Sequence, residues 1–328
     1  MSTPQRSLTI AEVAQLTGAA VSSRGEGGVE IRKVSAIHTA DRDSAVFAQD
    51  EPTLRRALAS QAAVVLAAGS LDQNSAALEG VALSAPRVLW VGDARLAFAL
   101  VARALASRGE SRIDPSAVIA STAQIGRGAQ IGPGVVVEGD VIAGDDVLLE
   151  ARVVLHRGVR LGDRVEVHAG CVLGGVGFGW AKDPRTGEYV RFPQQGHLIV
   201  EDDVCIGANC TIDRGALDDT RIGAGTKIDN LVHIAHSCRI GRRVVIAAQT
   251  GIAGSSVVGD DAVIAGQVGI ADHVEIGDGV VLGAKCGVPS NKVLRGPGQV
   301  FWGIPARPIQ QYLRELAQLR RGLARSGR

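Results

Sequence analysis

Aromatic side chains are scarce: three Trp, two Tyr and five Phe make up only 3% of the 328 residues. That is too few to fill a conventional globular core, where rings carry much of the buried area. Long apolar runs are also missing. No stretch approaches the ~18 apolar residues of a membrane span, and Met1 to Ile10 lack an apolar segment of signal-peptide length, so the expectation is a cytoplasmic chain with no integral membrane segment. Neither sign of charge dominates, since 35 Lys and Arg face 34 Asp and Glu for a formal net charge of +1. With no long basic run before the C-terminus, nucleic acid is not an expected partner. The five cysteines, Cys171, Cys205, Cys210, Cys238 and Cys286, are odd in number and form no Cys-x-x-Cys pair. They are read as buried reduced thiols, outside any metal or redox role.

What is abundant is glycine, 42 residues, set among aliphatics. An aliphatic residue recurs at every sixth position through Ile222, Ile228, Ile234, Ile240, Ile246, Ile252, Val258, Ile264, Ile270, Ile276, Leu282 and Val288. On an α-helix, residues six apart are rotated by about 600°, so this set would drift around the cylinder without forming a core-facing stripe. The following residue is usually small, as in Ile222-Gly223, Ile240-Gly241 and Val258-Gly259. Together these features describe hexapeptide repeats wound into a parallel β-helix. Three hexapeptides make one triangular coil in this class, so residues eighteen apart stack at about 4.8 Å.

The phase begins at Ile113 and runs through Ile119, Ile125, Ile131, Val137, Leu149, Leu155, Leu161, Val167 and Leu173, with Ala143 a weak member. It breaks over Gly174 to His197, an excursion carrying Phe178, Trp180, Tyr189 and Phe192. Those aromatics form either a binding surface or a seal over the coil they leave. The phase resumes at Val200, Ile206 and Ile212 and breaks briefly again over Arg214 to Asp219.

Residues 1–110 lack the period and read as a small α/β domain, either a cap on the solenoid or a substrate-binding module. Thr9 and Glu12 form a capping box for a helix ending near Gly18, Val29 to Val34 alternates as a strand, Asp50 and Pro52 open a second helix, and Ala62 to Ala67 and Val88 to Val91 are apolar strands. Asp93 caps a helix running through Leu96, Leu100 and Leu105 to Gly109. Residues 111–295 form the β-helix domain. Residues 296–328 form a helical extension, with Pro308 in its first turn, apolar positions Ile309, Tyr312, Leu313, Leu316, Leu319 and Leu323, and a basic face of Arg314, Arg320, Arg321, Arg325 and Arg328. That face is either simply solvated or a dock for an acidic protein.

Histidine is unusual in solenoid strands, so His233 and His236, three apart around the corner at Ile234, draw attention together with His273. A histidine is the natural general base at neutral pH. Asp229 is a candidate to orient one of the rings. Gly254 lies eighteen residues after His236 and stacks over its corner, where a backbone N–H either meets a developing oxyanion or merely turns the chain. Offsets of three and thirty-seven between the histidines do not converge as zinc ligands require, so no metal site is assigned.

His233-Ile234-Ala235-His236 within a hexapeptide run resembles the catalytic signature of the acyltransferases of lipid A biosynthesis. Gly177-Phe178-Gly179-Trp180, Thr211-Ile212-Asp213-Arg214-Gly215-Ala216-Leu217-Asp218-Asp219-Thr220 and the leading α/β domain are similar to the UDP-3-O-(3-hydroxyacyl)glucosamine N-acyltransferase family, over nearly the whole chain. The resemblance implies a left-handed parallel β-helix assembled as a homotrimer, with acyl carrier protein as partner, its phosphopantetheine thioester as acyl donor with no further cofactor, and UDP-3-O-acyl-glucosamine as acceptor. It implies His236 as general base, His273 as a second functional histidine and Gly254 as oxyanion donor. Asp229, His233 and Ser237 are expected beside the substrate and Phe47 at the uracil ring, although Asp50 and Thr53 stand where the family has Asn and Tyr. The alternatives are a UDP-N-acetylglucosamine O-acyltransferase and a non-catalytic solenoid.

Overall fold

A computed structural model describes residues 6–19, 29–71, 87–106 and 111–326. The chain divides into two compact units, Met1–Arg108 and Gly109–Arg328.

The first unit is a parallel four-stranded sheet, in the order Lys33–Val34, Ser44–Ala48, Val64–Ala68 and Arg87–Val91. Ala45, Val64, Leu66, Leu89 and Val91 pack with helices α1 (Ile10–Thr17) and α3 (Ala94–Leu105), while Val46, Ala48, Val65 and Ala67 pack with α2 (Glu51–Leu58). Burial on both faces is why Val64 to Ala67 reads as an unbroken apolar run. Thr9 and Glu12 close the capping box of α1, which ends on Gly18 at φ 67°. Asp50 and Thr53 make the same reciprocal bonds at the start of α2, and Asp93 caps α3.

One detail differs from the sequence reading. Val29 to Val34 is not one strand, because the N–H groups of Arg32 and Lys33 both donate to the carbonyl of Asp43. Glu30–Ile31 therefore pairs antiparallel with Leu8–Thr9, while Lys33–Val34 joins the main sheet. In α3 the buried face is Ala94, Ala97, Val101 and Leu105, and Leu96 is 57% exposed; Gly109 lies outside the described residues.

The second unit is a left-handed parallel β-helix whose three sheets have eleven, nine and nine strands. Successive coils pair eighteen apart, as in Ile234 with Ile252 and Ile252 with Ile270. The sixth-position aliphatics point inward and are buried from Ile131 onward. The glycine after the aliphatic serves close approach: a Cβ on Gly241 would lie 2.7 Å from the Asp260 nitrogen in the next coil. The left-handed corner falls two residues later, on Arg243 at φ 55°.

The excursions loop out without breaking the stack. Leu161 pairs with Val200 across the long one and Val200 with Ile222 across the short one. Within the long excursion, Trp180–Lys182 and Tyr189–Arg191 form an antiparallel hairpin. Four cysteines lie inside the coil, where the Cys238 thiol donates to the Ala253 carbonyl just as the Ser256 hydroxyl donates to Ala271. Cys205 is the exception, half-buried at an outward strand position.

At the exit, Val300–Trp302 extends the first sheet and Arg307–Pro308 pairs back onto it, so Pro308 precedes helix α4 (Ile309–Ser326). Tyr312 packs against Gly303, but Leu313 and Leu319 stand exposed. Arg328 lies outside the described residues, as do the side chains of Arg320, Leu323 and Arg325.

Candidate active site

His233 opens the strand His233–Ile234, whose inward residue Ile234 is fully buried. Alternation therefore turns His233 outward, and His236 sits half-buried at the corner that follows. Residues 236, 254, 272 and 290 form one corner column, while His273 belongs to the adjoining column of left-handed residues Ser237, Ser255 and Asn291. His273 donates its N–H to the Gly254 carbonyl at 3.2 Å. The offset of thirty-seven thus places two histidines on neighbouring columns of one wall.

Two glycines make room for the His236 ring. A Cβ on Gly254 would lie 2.6 Å from Cε1 and 2.7 Å from Nε2, and one on Gly177 would lie 2.8 Å from the His236 Cβ. Neither glycine has the positive φ that would demand it for conformational reasons, so the requirement at both is space for the imidazole. Ala253 and Ser255 donate to Ile270 and His236 in the coil-to-coil ladder. The intervening N–H of Gly254 finds no acceptor among the described residues.

The imidazole stands between two cavities. On one side is a groove of about 920 Å³, walled by His233, His236, Gly254 and His273, with Phe178 at its mouth and Ile304 and Pro305 at its far end. Its floor includes Gly251, Gly269 and Gly287, register partners in three successive coils. At Gly251 and Gly269 a Cβ would meet nothing within 4 Å, so the missing side chains leave an open channel. On the other side is a smaller pocket of about 430 Å³ lined by Trp180, Phe192, Gln194, Asp218, Ser237 and Ser255, among others. Among the described residues, both amide atoms of Gln194 are buried there without a hydrogen-bond partner, and so is Nδ1 of His236. Unpaired buried polar groups are costly, and three of them converge at the junction of the two cavities.

The carboxylate beside the histidines is Asp213. Its Oδ2 lies 3.9 Å from His233 Nε2, and Thr211 Oγ1 lies 2.7 Å from the Nδ1 of the same ring. Burial pushes the Asp213 carboxyl up from its ordinary pKa, and the positive charge available at His233 and His236 pulls part of the way back. The expected orienting residue, Asp229, is engaged elsewhere: its carboxylate accepts from the backbone N–H groups of Asn230 at 2.7 Å and Ala248 at 3.2 Å. A turn-capping role thus occupies it. Ser237 accepts from the Ala216 N–H and donates its own N–H to Thr220 Oγ1, which holds the short excursion against the corner.

Phe47 belongs to the first unit, half-buried, its ring 4.9 Å from that of Phe98. Asp50 and Thr53 are spent on capping α2. Asp213, Gln194, Gly251 and Gly269 were not singled out from sequence for these places, although the eighteen-residue spacing of Gly251, Gly269 and Gly287 was there to be read.

A family model of the bacterial transferase hexapeptide (six repeats) matches residues 219–254, and one of the hexapeptide repeat of succinyl-transferase matches residues 140–174 and 197–230. A UDP-3-O-acylglucosamine N-acyltransferase of Coxiella burnetii is 39% identical over 264 residues, covering 74% of this chain and 73% of that protein. One of Caulobacter vibrioides is 56% identical over 161 residues, covering 49% and 46%. Among solved structures, a UDP-N-acetylglucosamine acyltransferase matches with a TM-score of 0.53 at 28% identity, over 63% of this chain and 77% of that one. The enzyme of that name from Bacteroides fragilis gives 0.53 at 25%, over 60% and 73%.

Proposed function

The chain belongs to the UDP-3-O-acylglucosamine N-acyltransferase family and is an acyltransferase, and from that premise we propose that it transfers a 3-hydroxyacyl chain from acyl carrier protein to the 2-amino group of UDP-3-O-(3-hydroxyacyl)-glucosamine. The observation that carries this reading is the position of His236 between an open, glycine-floored groove and a pocket with unpaired polar atoms. The groove suits an extended acyl chain, and the pocket suits a sugar.

In the proposed reaction the amine nitrogen attacks the thioester carbonyl, and His236 takes the proton that the nitrogen sheds. The tetrahedral intermediate then collapses with cleavage of the carbon–sulfur bond, and the imidazolium returns its proton to the leaving thiolate, giving amide and free phosphopantetheine thiol. General-base assistance of this kind contributes roughly 10²–10⁴ in rate. The unpaired N–H of Gly254, one coil away, is the donor assigned to the oxyanion, a role worth about 10²–10³. Asp213 stabilises positive charge on the histidine pair, and His273 faces the substrate from the same wall. Gln194 is assigned to hydroxyl or phosphate groups of the sugar nucleotide, and Phe47 to the uracil ring. The homotrimer, a cytoplasmic location and docking of acyl carrier protein on the basic face of α4 belong to the same proposal. Among the described residues no helix is long and apolar enough to cross a membrane.

The test offers 3-hydroxyacyl carrier protein with UDP-3-O-acyl-glucosamine and with UDP-N-acetylglucosamine in parallel, and reads products by mass. Amide on the first acceptor alone is expected. Ester on the second would make the chain a UDP-N-acetylglucosamine O-acyltransferase, and no product on either would favour a non-catalytic solenoid.

A further inference from the structure

The outward face of the first sheet gathers three different metal-binding side chains. Glu166 and His168 flank the inward Val167, and Cys205 is the register partner of Glu166 in the next coil. One ligand atom from each of the three lies within 4.8 Å of the others. Cys205 Sγ is 3.5 Å from His168 Nε2. With Zn–S near 2.3 Å and Zn–N near 2.0–2.1 Å, a tetrahedral ion sets its sulfur and nitrogen ligands ~3.5 Å apart. The sulfur and nitrogen already stand at that separation, and a carboxylate oxygen of exposed Glu166 lies within 4.8 Å of both.

The other side of the imidazole is also arranged. His168 Nδ1 lies 3.3 Å from Glu150 Oε1, while the second Glu150 oxygen accepts from the Ala169 N–H at 3.0 Å. A carboxylate anchored to backbone thus holds the ring with Nε2 aimed at the thiol, the support that metal-bound histidines characteristically receive. The nearest cation in the register, Lys227, donates its ammonium to the Asp203 carbonyl at 2.6 Å.

We propose that Glu166, His168 and Cys205 bind a zinc-like divalent cation, with Glu150 as the residue positioning His168. The ligands come from both sides of the 174–197 excursion, since Val167 pairs with Ile206 across it. The ion staples together the coils from which the excursion springs. The site lies on a different sheet from the floor of the histidine groove, so it stabilises without taking part in acyl transfer.

Cobalt(II) added to the metal-free full-length protein should give one equivalent of a thiolate-to-cobalt charge-transfer band with tetrahedral d–d absorption. Cys205→Ser should abolish the band, and Glu150→Gln should weaken binding by about 10–100-fold. The other four cysteines remain as internal controls. Zinc at a hundredfold excess over its Kd should raise the thermal midpoint of the native protein by about 5 °C or more, but leave that of Cys205→Ser where it was. No charge-transfer band in the native protein, a band persisting in Cys205→Ser, or an equal zinc effect on both midpoints would overturn the assignment. The native-protein spectrum alone decides the matter if the variant fails to fold.

Discussion

Gly254→Ala is the smallest change with the largest consequence expected. The new methyl carbon would stand 2.6 Å from His236 Cε1, 2.7 Å from Nε2 and 3.1 Å from Nδ1. Carbon–carbon contacts are at their optimum near 3.5–4.0 Å, so the imidazole must retreat by about 1 Å. Misplacement on that scale costs roughly 10²-fold in rate. Stability should fall little, because φ at Gly254 suits any residue and His236 is only half-buried at the surface of the coil. Steady-state acyl transfer should therefore show kcat down about a hundredfold, with KM for UDP-3-O-acyl-glucosamine nearly unchanged and the thermal midpoint within a few degrees of wild type. A Gly254→Ala enzyme turning over within about threefold of wild type would show that His236 need not occupy this position, and the reasoning from ring geometry to rate would fail.

Three further outcomes follow from the same geometry. The folded pKa of Asp213 lies above its unfolded value, so across that window the folded state holds the extra proton and stability falls as pH rises. Asp213→Asn should raise the thermal midpoint at neutral pH and lower kcat, and the stability gain should shrink as pH drops toward the ordinary carboxylate pKa near 3.9; a gain that grows in acid contradicts the burial argument. Gly269→Leu fills the groove floor, so transfer from long 3-hydroxyacyl donors should drop by about tenfold or more while short-chain donors retain their rate, and equal losses for both would place the acyl chain elsewhere. Charge reversal of Arg314 and Arg321, both exposed on α4, should raise KM for acyl carrier protein, and wild-type kcat/KM should fall steeply with salt; an unchanged KM removes the docking site.

The six-residue phase makes the coils legible in the sequence, because each inward aliphatic is needed by its neighbours above and below. It also placed Gly254 over His236, since no insertion separates them. Legibility failed where insertions altered the count. At a spacing of eighteen, Asp213 falls against Leu231, but the short excursion makes Thr211 pair with His233 and Ile212 with Ile234, which carries Asp213 to the histidine corner. Asp229, close to the histidines in sequence, is the better guess from a linear reading. Its carboxylate is nevertheless taken by two backbone N–H groups that the turn leaves unpaired. Gln194 was equally hidden, because the path of the long excursion follows from its hairpin and its packing on the corner, for which no period exists. Cys205 looked like its four buried counterparts in composition, yet strand alternation turns it outward beside His168.

The most direct measurement of the central claim is single-turnover acyl transfer by His236→Ala, with acyl carrier protein and UDP-3-O-acyl-glucosamine saturating. If His236 is the base between groove and pocket, the rate falls by about 10² or more, while the thermal midpoint and the binding of both substrates stay as in wild type. A rate close to wild type would contradict the assignment, and with it the reading of the two cavities as acyl and sugar sites about one catalytic ring.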